Sequence, residues 1–312
     1  MDRAIINKMT IIGLGLIGSS IGHACKKHGL VKEIIGYDQD PRTREIAMEI
    51  GFVDGVADSI GKAVLDSDVV VLCVSVGVMA EVGKSVIPHL KQGAILTDVG
   101  SVKRSVIDSI MPSIPEGIHF VPGHPIAGTE KSGPRAGFAS LFDGRWAILT
   151  PVEETDKDAV SLISSLWEGF GAKVDIMDAN HHDKVLGITS HLPHLIAFTI
   201  VNTASELEDD LKSEVIKYSA GGFRDFTRIA ASDPVMWRDI FLNNQDASLD
   251  LLQRFIEDLT GLQKAIRRGN GDVLEDMFTR TKAIRQEVID VKQDKCSVLK
   301  QEEENIEAYK GA

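Results

Sequence analysis

Three features of the 312-residue chain predict a doubly wound, parallel α/β sheet followed by an all-helical domain. Short apolar runs alternate with amphipathic stretches from residue 8 to about 175, the pattern of parallel strands joined by crossover helices. The first of these strands runs straight into Gly13-Leu14-Gly15-Leu16-Ile17-Gly18, and the second ends at Asp38, 20 residues after Gly18. From about Ala179 the strand signals stop and a 3.6-residue period carries through to about Asp294.

Taken in order, strands are predicted at 9–12, 33–37, 69–75, 94–97, 119–122 and 146–150, with helices after Gly15, Pro41, Val78, Lys103 and Asp156. The expected division is a nucleotide-binding domain over 1–175, a helical domain over 176–294, and a mobile acidic tail over 295–312 that contains Glu302-Glu303-Glu304. A chain this long outgrows one hydrophobic core, and 43% hydrophobic residues suffice for two. The net charge of -12 argues against nucleic acid or an anionic membrane as partner, because phosphate binding needs clustered positive charge. Cys25, Cys73 and Cys296 are odd in number and widely spaced, which fits a reducing compartment and no disulfide framework. Cys73, in an apolar run, reads as inert core. The first ten residues do not form a signal peptide, and no apolar run approaches the roughly 18 residues of a membrane span. The expected location is the cytoplasm.

The glycine string marks a Rossmann-type cofactor loop. The first glycine permits the tight turn, the second lets backbone approach a pyrophosphate, and the third lets helix pack on strand. Asp38 is placed to bond ribose hydroxyls and to repel a 2′-phosphate, so NAD is expected over NADP, with Arg42 the nearest group able to tolerate a phosphate. Gly13, Gly15, Leu16, Ile17, Gly18 and Asp38, together with Ser75 at the end of the third strand and Ser101, form the expected cofactor set.

Ligands of open α/β sheets sit outside the carboxyl ends of the strands. Two segments lie there: residues 98–103 and residues 123–130, the latter reading Gly-His-Pro-Ile-Ala-Gly-Thr-Glu. His124 is the expected general base, with activity rising with pH near an ordinary imidazole pKa of about 6.5; the plainer reading is a hydrogen-bonded loop histidine. Ser101 either caps the helix expected near Val102 or reaches a ligand. In the helical domain, Asp183, Gly187, Ser190 and His194 recur at helical spacing on one stripe, where Gly187 leaves room for a flat ligand and Pro193 predicts a kink. His191 falls off that stripe and reads as packed or surface. The cluster His181, His182, His191 and His194 matches no zinc spacing, so no metal is expected. Arg224 and Arg228, one turn apart after Gly221-Gly222, suggest an anion site in an acidic protein; the plainer reading is solvated arginines paired with Asp225 and Asp239. Asp233 and Pro234 start a new helix as cap and first residue.

The strings GLGLIG from Gly13, DVGSVK from Asp98, GHPIAGTEKSG from Gly123, SHLPH from Ser190 and GGFRDFTRIAASDPVMWRDIF from Gly221, in this order, resemble the prephenate/arogenate (cyclohexadienyl) dehydrogenase family of tyrosine biosynthesis, over about residues 8–290. The resemblance implies a Rossmann domain joined to a helical domain that forms a homodimer, and oxidative decarboxylation of prephenate or arogenate with NAD or NADP. It implies that His124 is the catalytic histidine, Ser101 binds the substrate hydroxyl and Arg228 binds the ring carboxylate. It places His194 and Ser190 in the pocket, and Glu130, Asp183 and Asp225 in a gating network. Arg224, where relatives carry lysine, and Trp237 complete the implied substrate set. Two other readings stay open at this point. One is a dehydrogenase of the 3-hydroxyacid type, for which Lys184 would be the acid/base; the other is a non-catalytic NAD-sensing regulator.

Overall fold

A computed structural model describes residues 4–206 and 221–290, so the predicted tail and Cys296 lie outside the described residues. Strands β1 (Ile6–Ile12), β2 (Val31–Tyr37), β3 (Gly55–Val56), β4 (Val69–Leu72), β5 (Ile95–Asp98) and β6 (His119–Val121) form one parallel sheet in the order β3-β2-β1-β4-β5-β6. The chain winds outward in both directions from β1 and β4, which puts the switch point, and the cleft, at the carboxyl ends of those two strands. All four residues of β4 are buried, as expected for a central parallel strand covered by helices on both faces. The helices are α1 (Leu16–His28), α2 (Pro41–Ile50), α3 (Ile60–Val64), α4 (Val76–Val86) and α5 (Arg104–Ile110).

The predicted strand 69–75 ends early, at Leu72, and α4 begins at Val76 instead of after Val78. A larger departure follows β6. Pro122 has no N–H to continue the ladder, and the chain turns into a second sheet made of β7 (Gly123–Pro125), β8 (Trp146–Leu149) and β9 (Lys173–Ile176). There β7 is antiparallel to β8, and Thr150 N donates to the Pro122 carbonyl at 2.9 Å. The predicted strand at 146–150 therefore exists but in this small sheet, and β9, whose residues are largely exposed, carried no readable pattern. Helix α6 (Lys157–Gly169), capped by Asp156, closes the unit with Trp167 and Phe170 packed on Phe142.

Beyond Ile176 the described residues are helical: α7 (Ala179–Leu186), a π-helical turn (Gly187–His191), α8 (Leu192–Ser205), α9 (Gly221–Thr227), a 3₁₀ turn (Arg228–Ala231), α10 (Pro234–Asn243), α11 (Gln245–Arg267) and α12 (Gly271–Asp290). Asp233 caps α10 and Pro234 opens it, as the sequence predicts. Helix α10 lies on α4 so closely that a Cβ at Gly77 would collide with the Asp239 carboxylate. The helical run Ala179–Ser205, 27 residues that contain an 18-residue stretch of mean hydropathy 1.3, is long and apolar enough to cross a membrane, contrary to the expectation that no run is. Its first half, however, carries His182, Asp183 and His191, all buried against polar partners of the same protein.

Candidate active site

The corner between β5 and β7 is built on a buried carboxylate. Asp98, the last residue of β5, accepts the N–H of Gly100 at 2.8 Å and that of Gly123 at 3.3 Å. Lys103 donates from Nζ to the same carboxylate and to the Gly123 carbonyl at 2.7 Å. Both side chains are fully buried, and the start of β7, hence His124, is fixed to the end of β5. Helix α5 begins at Arg104, and the carboxylate of Asp183 on α7 accepts its leading N–H groups, those of Lys103 at 2.8 Å and Arg104 at 2.9 Å. Ser101 caps nothing; it is half-buried at the corner, which leaves its ligand reading standing. The Asp183 carboxylate is taken up by the start of α5 and by His182.

Asp183 is also the end of a chain of imidazoles. His182 Nδ1 lies 2.8 Å from Asp183 Oδ1, and His182 Nε2 lies 2.9 Å from His124 Nδ1. A carboxylate only accepts, so the neutral His182 carries its proton on Nδ1 and accepts at Nε2. His124 must then donate from Nδ1, which leaves its Nε2 lone pair free. Burial, aided by His182, Lys103 and His191, holds the His124 pKa well below the usual imidazole value, so the expected acid limb near 6.5 moves to lower pH. Burial also lowers His182, opposed by its bond to Asp183.

The π turn that Pro193 helps to produce changes which residues share a face. The buried His191 falls on the Asp183 side, and Asn244 joins them by donating to the Asp183 carbonyl at 3.0 Å and to His191 Nδ1 at 3.1 Å. Gly187 makes no room for a ligand, because a Cβ there would lie 2.7 Å from Leu251 of α11; the glycine serves helix packing. His191 also meets Trp237 edge-on, with ring centroids 6.1 Å apart, and His194 borders the same indole. His194 Nδ1 donates to the Ser190 carbonyl at 2.8 Å, and its ring stacks on Trp237 at 3.7 Å. Arg228 is near enough to contribute to the lowered pKa of His194, whose main cause is burial. Its side chain is 62% exposed and meets Glu130 at 3.3 Å, an open ion pair. Arg224 and Asp225 are exposed on α9, one turn before it. His181 and Lys184 are exposed on α7, and the four histidines of the discarded metal reading do not converge.

Two family models match the chain: the prephenate dehydrogenase nucleotide-binding domain over residues 21–176, and the prephenate dehydrogenase dimerization domain over residues 178–280. The chain belongs to the prephenate dehydrogenase family. It is 43% identical over 281 residues to the cyclohexadienyl dehydrogenase of Zymomonas mobilis, covering 90% of this chain and 96% of that one. It is 37% identical over 279 residues to the prephenate dehydrogenase of Bacillus subtilis, covering 88% and 74%. The crystal structure of the A. aeolicus prephenate dehydrogenase in complex with hydroxyphenyl propionate and NAD+ superposes with a TM-score of 0.85 at 36% identity, covering 91% of this chain and 98% of that one.

In this member of the prephenate dehydrogenase family the nucleotide loop is shaped for a dinucleotide. Gly13 has φ +94°, and a Cβ there would lie 2.6 Å from the Cys73 carbonyl oxygen. Gly18 sits against the Gly13 carbonyl, while Gly15 has nothing within 4 Å of where a Cβ would stand, which is open space at the amino end of α1. Leu16 and Ile17 form the first turn of that helix, and Ser75 stands just before α4 at the neighbouring strand end. Asp38 is half-buried beside this space, and its carboxylate accepts the N–H of Leu14 at 2.9 Å and that of Asp40 at 3.0 Å. Arg42 points its charge at Glu45, 3.2 Å away; Arg44 bonds the Asp38 carbonyl and lies over Tyr37. These features fit the adenosine end of NAD.

Sequence reasoning missed His182, Lys103, Asp98 and Asn244 as parts of this site. His182 had a usable signal, since it immediately precedes Asp183, but it was weighed only as a metal ligand. Lys103 and Asp98 stood in the quoted DVGSVK string, with no clue that both side chains are buried. Asn244 follows a helix end and carries no signal.

Proposed function

We propose that the chain is an NAD-dependent enzyme that oxidises and decarboxylates prephenate, arogenate or both, giving 4-hydroxyphenylpyruvate or tyrosine. The reading includes the residue range 1–175 as NAD domain, 176–294 as substrate and dimerisation domain, a homodimer and a cytoplasmic location. The observation that supports it most is the hydrogen-bonded series Asp183–His182–His124, which leaves an unprotonated Nε2 at the carboxyl edge of a nucleotide-binding sheet.

Prephenate carries a ring hydroxyl opposite a ring carboxylate, and loss of a hydride from the hydroxyl-bearing carbon gives a dienone that becomes aromatic by releasing carbon dioxide. NAD, when bound, supplies the acceptor for that hydride. Gly13, Gly15, Leu16, Ile17, Gly18, Asp38, Ser75 and Ser101 would hold it. His124 Nε2 takes the hydroxyl proton, and Ser101 orients that hydroxyl. As His124 gains its proton, the positive ring is stabilised through His182 by the Asp183 carboxylate. Arg228 binds the ring carboxylate; holding it too tightly in the transition state would oppose its loss, so positioning is its main task. His194, Ser190 and Trp237 line the ring, and Glu130, Asp225 and Arg224 control entry.

The homodimer is supported by large apolar side chains left open on α11 and α12, among them Leu249 at 64%, Ile266 at 66% and Phe278 at 57% exposure. Purified protein incubated with NAD and prephenate should produce reduced nicotinamide absorbance, and a parallel run with arogenate fixes the side-chain preference. No reduction with either substrate would refute the assignment. Sedimentation at micromolar concentration should give a dimer; a stable monomer would remove the subunit contact from the reading.

A further inference from the structure

We propose that Lys103 is a positioning residue for the reaction, clamping with Asp98 the strand start that carries His124 and presenting a fixed ammonium charge behind that base. The inference rests on the reading of His124 as base. The clamp is visible in three bonds around one residue: Asp98 accepts the Gly123 N–H at 3.3 Å, Lys103 donates to the Gly123 carbonyl at 2.7 Å, and the two side chains pair directly. Gly123 precedes His124, so both hydrogen-bonding groups of the residue before the base are held by one buried ion pair. A Cβ at Gly123 would lie 3.0 Å from the Asp98 carbonyl oxygen, so the two strand ends are in close contact. The Lys103 backbone is fixed as well, through its N–H to Asp183, the carboxylate that ends the imidazole series.

Burying a lysine with no exposed side-chain surface is a poor route to stability, since an apolar pair of the same volume often serves as well. What an apolar pair lacks is charge. The charged and titratable groups around His124 are His182 from α7, Lys103 from the turn before α5 and His191 from the π turn, with Asp98 paired to Lys103 and Asp183 beyond His182. Lys103 is the group among them held in a direct ion pair with a carboxylate, that of Asp98. Burial lowers its own pKa, and contact with Asp98 opposes this, which favours the ammonium form. An ammonium beside His124 makes the imidazolium less favourable, so His124 stays unprotonated at lower pH and hands on its proton more readily.

The test is the pH dependence of kcat with prephenate and NAD for the full-length wild type, Lys103→Met, the double variant Lys103→Met with Asp98→Asn, and His124→Asn. The double variant leaves no unpaired buried charge and decides the matter if the single variant does not fold. In Lys103→Met the acid limb should move to higher pH by on the order of 1 unit, and in the double variant, which also removes the opposing Asp98 charge, it should move the same way by less; plateau kcat should fall about 10- to 100-fold in both. The KM for NAD should stay within about 2-fold, since no cofactor contact is removed. A lowered melting temperature with an acid limb at the wild-type position would make Lys103 merely structural and overturn the inference. If His124→Asn is inactive while the limb is unmoved, this inference alone fails; if His124→Asn retains turnover, the base assignment fails and takes the inference with it.

Discussion

At the His124 end of the proposed site the side chains of Lys103, Asp98 and His182 are fully buried, and Asp183 is 6% exposed. At the Arg228 end the arginine side chain is 62% exposed, and that of its partner Glu130 is 42% exposed. The first end is an interlocked set in which removing any member strands a buried polar or charged group, at a cost of kcal/mol. The second is a surface ion pair of the kind that contributes about 0–1 kcal/mol and can be exchanged for another anion. Proton transfer needs fixed geometry and a fixed tautomer; admitting a charged substrate needs a contact that gives way. The same chain builds both, and the difference should be measurable.

The largest effect belongs to the proposed base, His124. His124→Asn keeps a polar side chain that can still bond His182 but cannot accept the proton, so kcat should fall by about 10² to 10⁴ with NAD affinity near wild type. In the wild type, the acid limb of the rate should lie below pH 6.5, because burial and neighbouring positive charge lower the His124 pKa. An Asn variant within a few-fold of wild type, or a wild-type limb above 6.5, breaks the buried half of the comparison.

Next comes acid sensitivity of the fold. His124, His182 and His191 all have pKa values lowered by burial, His191 to about 4. Such groups are neutral when folded and take up protons when unfolded below about pH 6.5, so the stability tied to them is present above that value and is lost as pH falls. For His191 alone the loss between about pH 6.5 and 4 is on the order of 3 kcal/mol. Thermal unfolding followed across that range should show a falling melting temperature, less steep in His191→Asn. A flat profile would mean these imidazoles are better solvated than their burial implies.

Legibility in the sequence divides along the same line. The cofactor loop could be read because its constraints are local: Gly13, Gly15, Gly18 and Asp38 answer to turns and strand ends that lie next to them in the chain. The proposed roles of His124 and Arg228 rest on position after a strand and on motif resemblance. The interlocked set was not readable, because the bonds that tie its segments together join residues 20 to 80 positions apart, as between Lys103 and Gly123 or Lys103 and Asp183. The helical stripe failed for another reason. Regular spacing put Asp183, Gly187, Ser190 and His194 on one face, but the π turn at Gly187–His191 breaks that register: the Asp183 carboxylate meets His182 and the start of α5, Gly187 packs on α11, and the His194 ring stacks on Trp237. The proline that signals a kink does not say how far the register slips. Likewise Pro122 was legible as a strand end, but not as the point where the chain changes sheets.

At the open end, Arg228→Ala should raise the KM for prephenate about 10- to 100-fold while kcat changes by a few-fold at most. The exposed setting argues for this range over the larger loss expected of a buried pair. An unchanged KM would move the anion site to Arg224, the other arginine of this segment.

The smallest effect sharpens the comparison most. Glu130→Gln keeps size and hydrogen bonding but removes the charge that occupies Arg228 in the absence of substrate. If Glu130 is a displaceable stand-in for the substrate carboxylate, losing its charge removes a competitor worth about 0–1 kcal/mol, so the KM for prephenate should fall, by no more than about 5-fold. The plateau kcat should hold, because the Asp183–His182–His124 series is untouched, and the benefit should shrink as salt screens the exposed pair. The sign is decisive. A KM that rises on losing Glu130 would mean that the carboxylate helps to hold substrate or to shape Arg228 for it, and the two ends of the site would then both be preorganised.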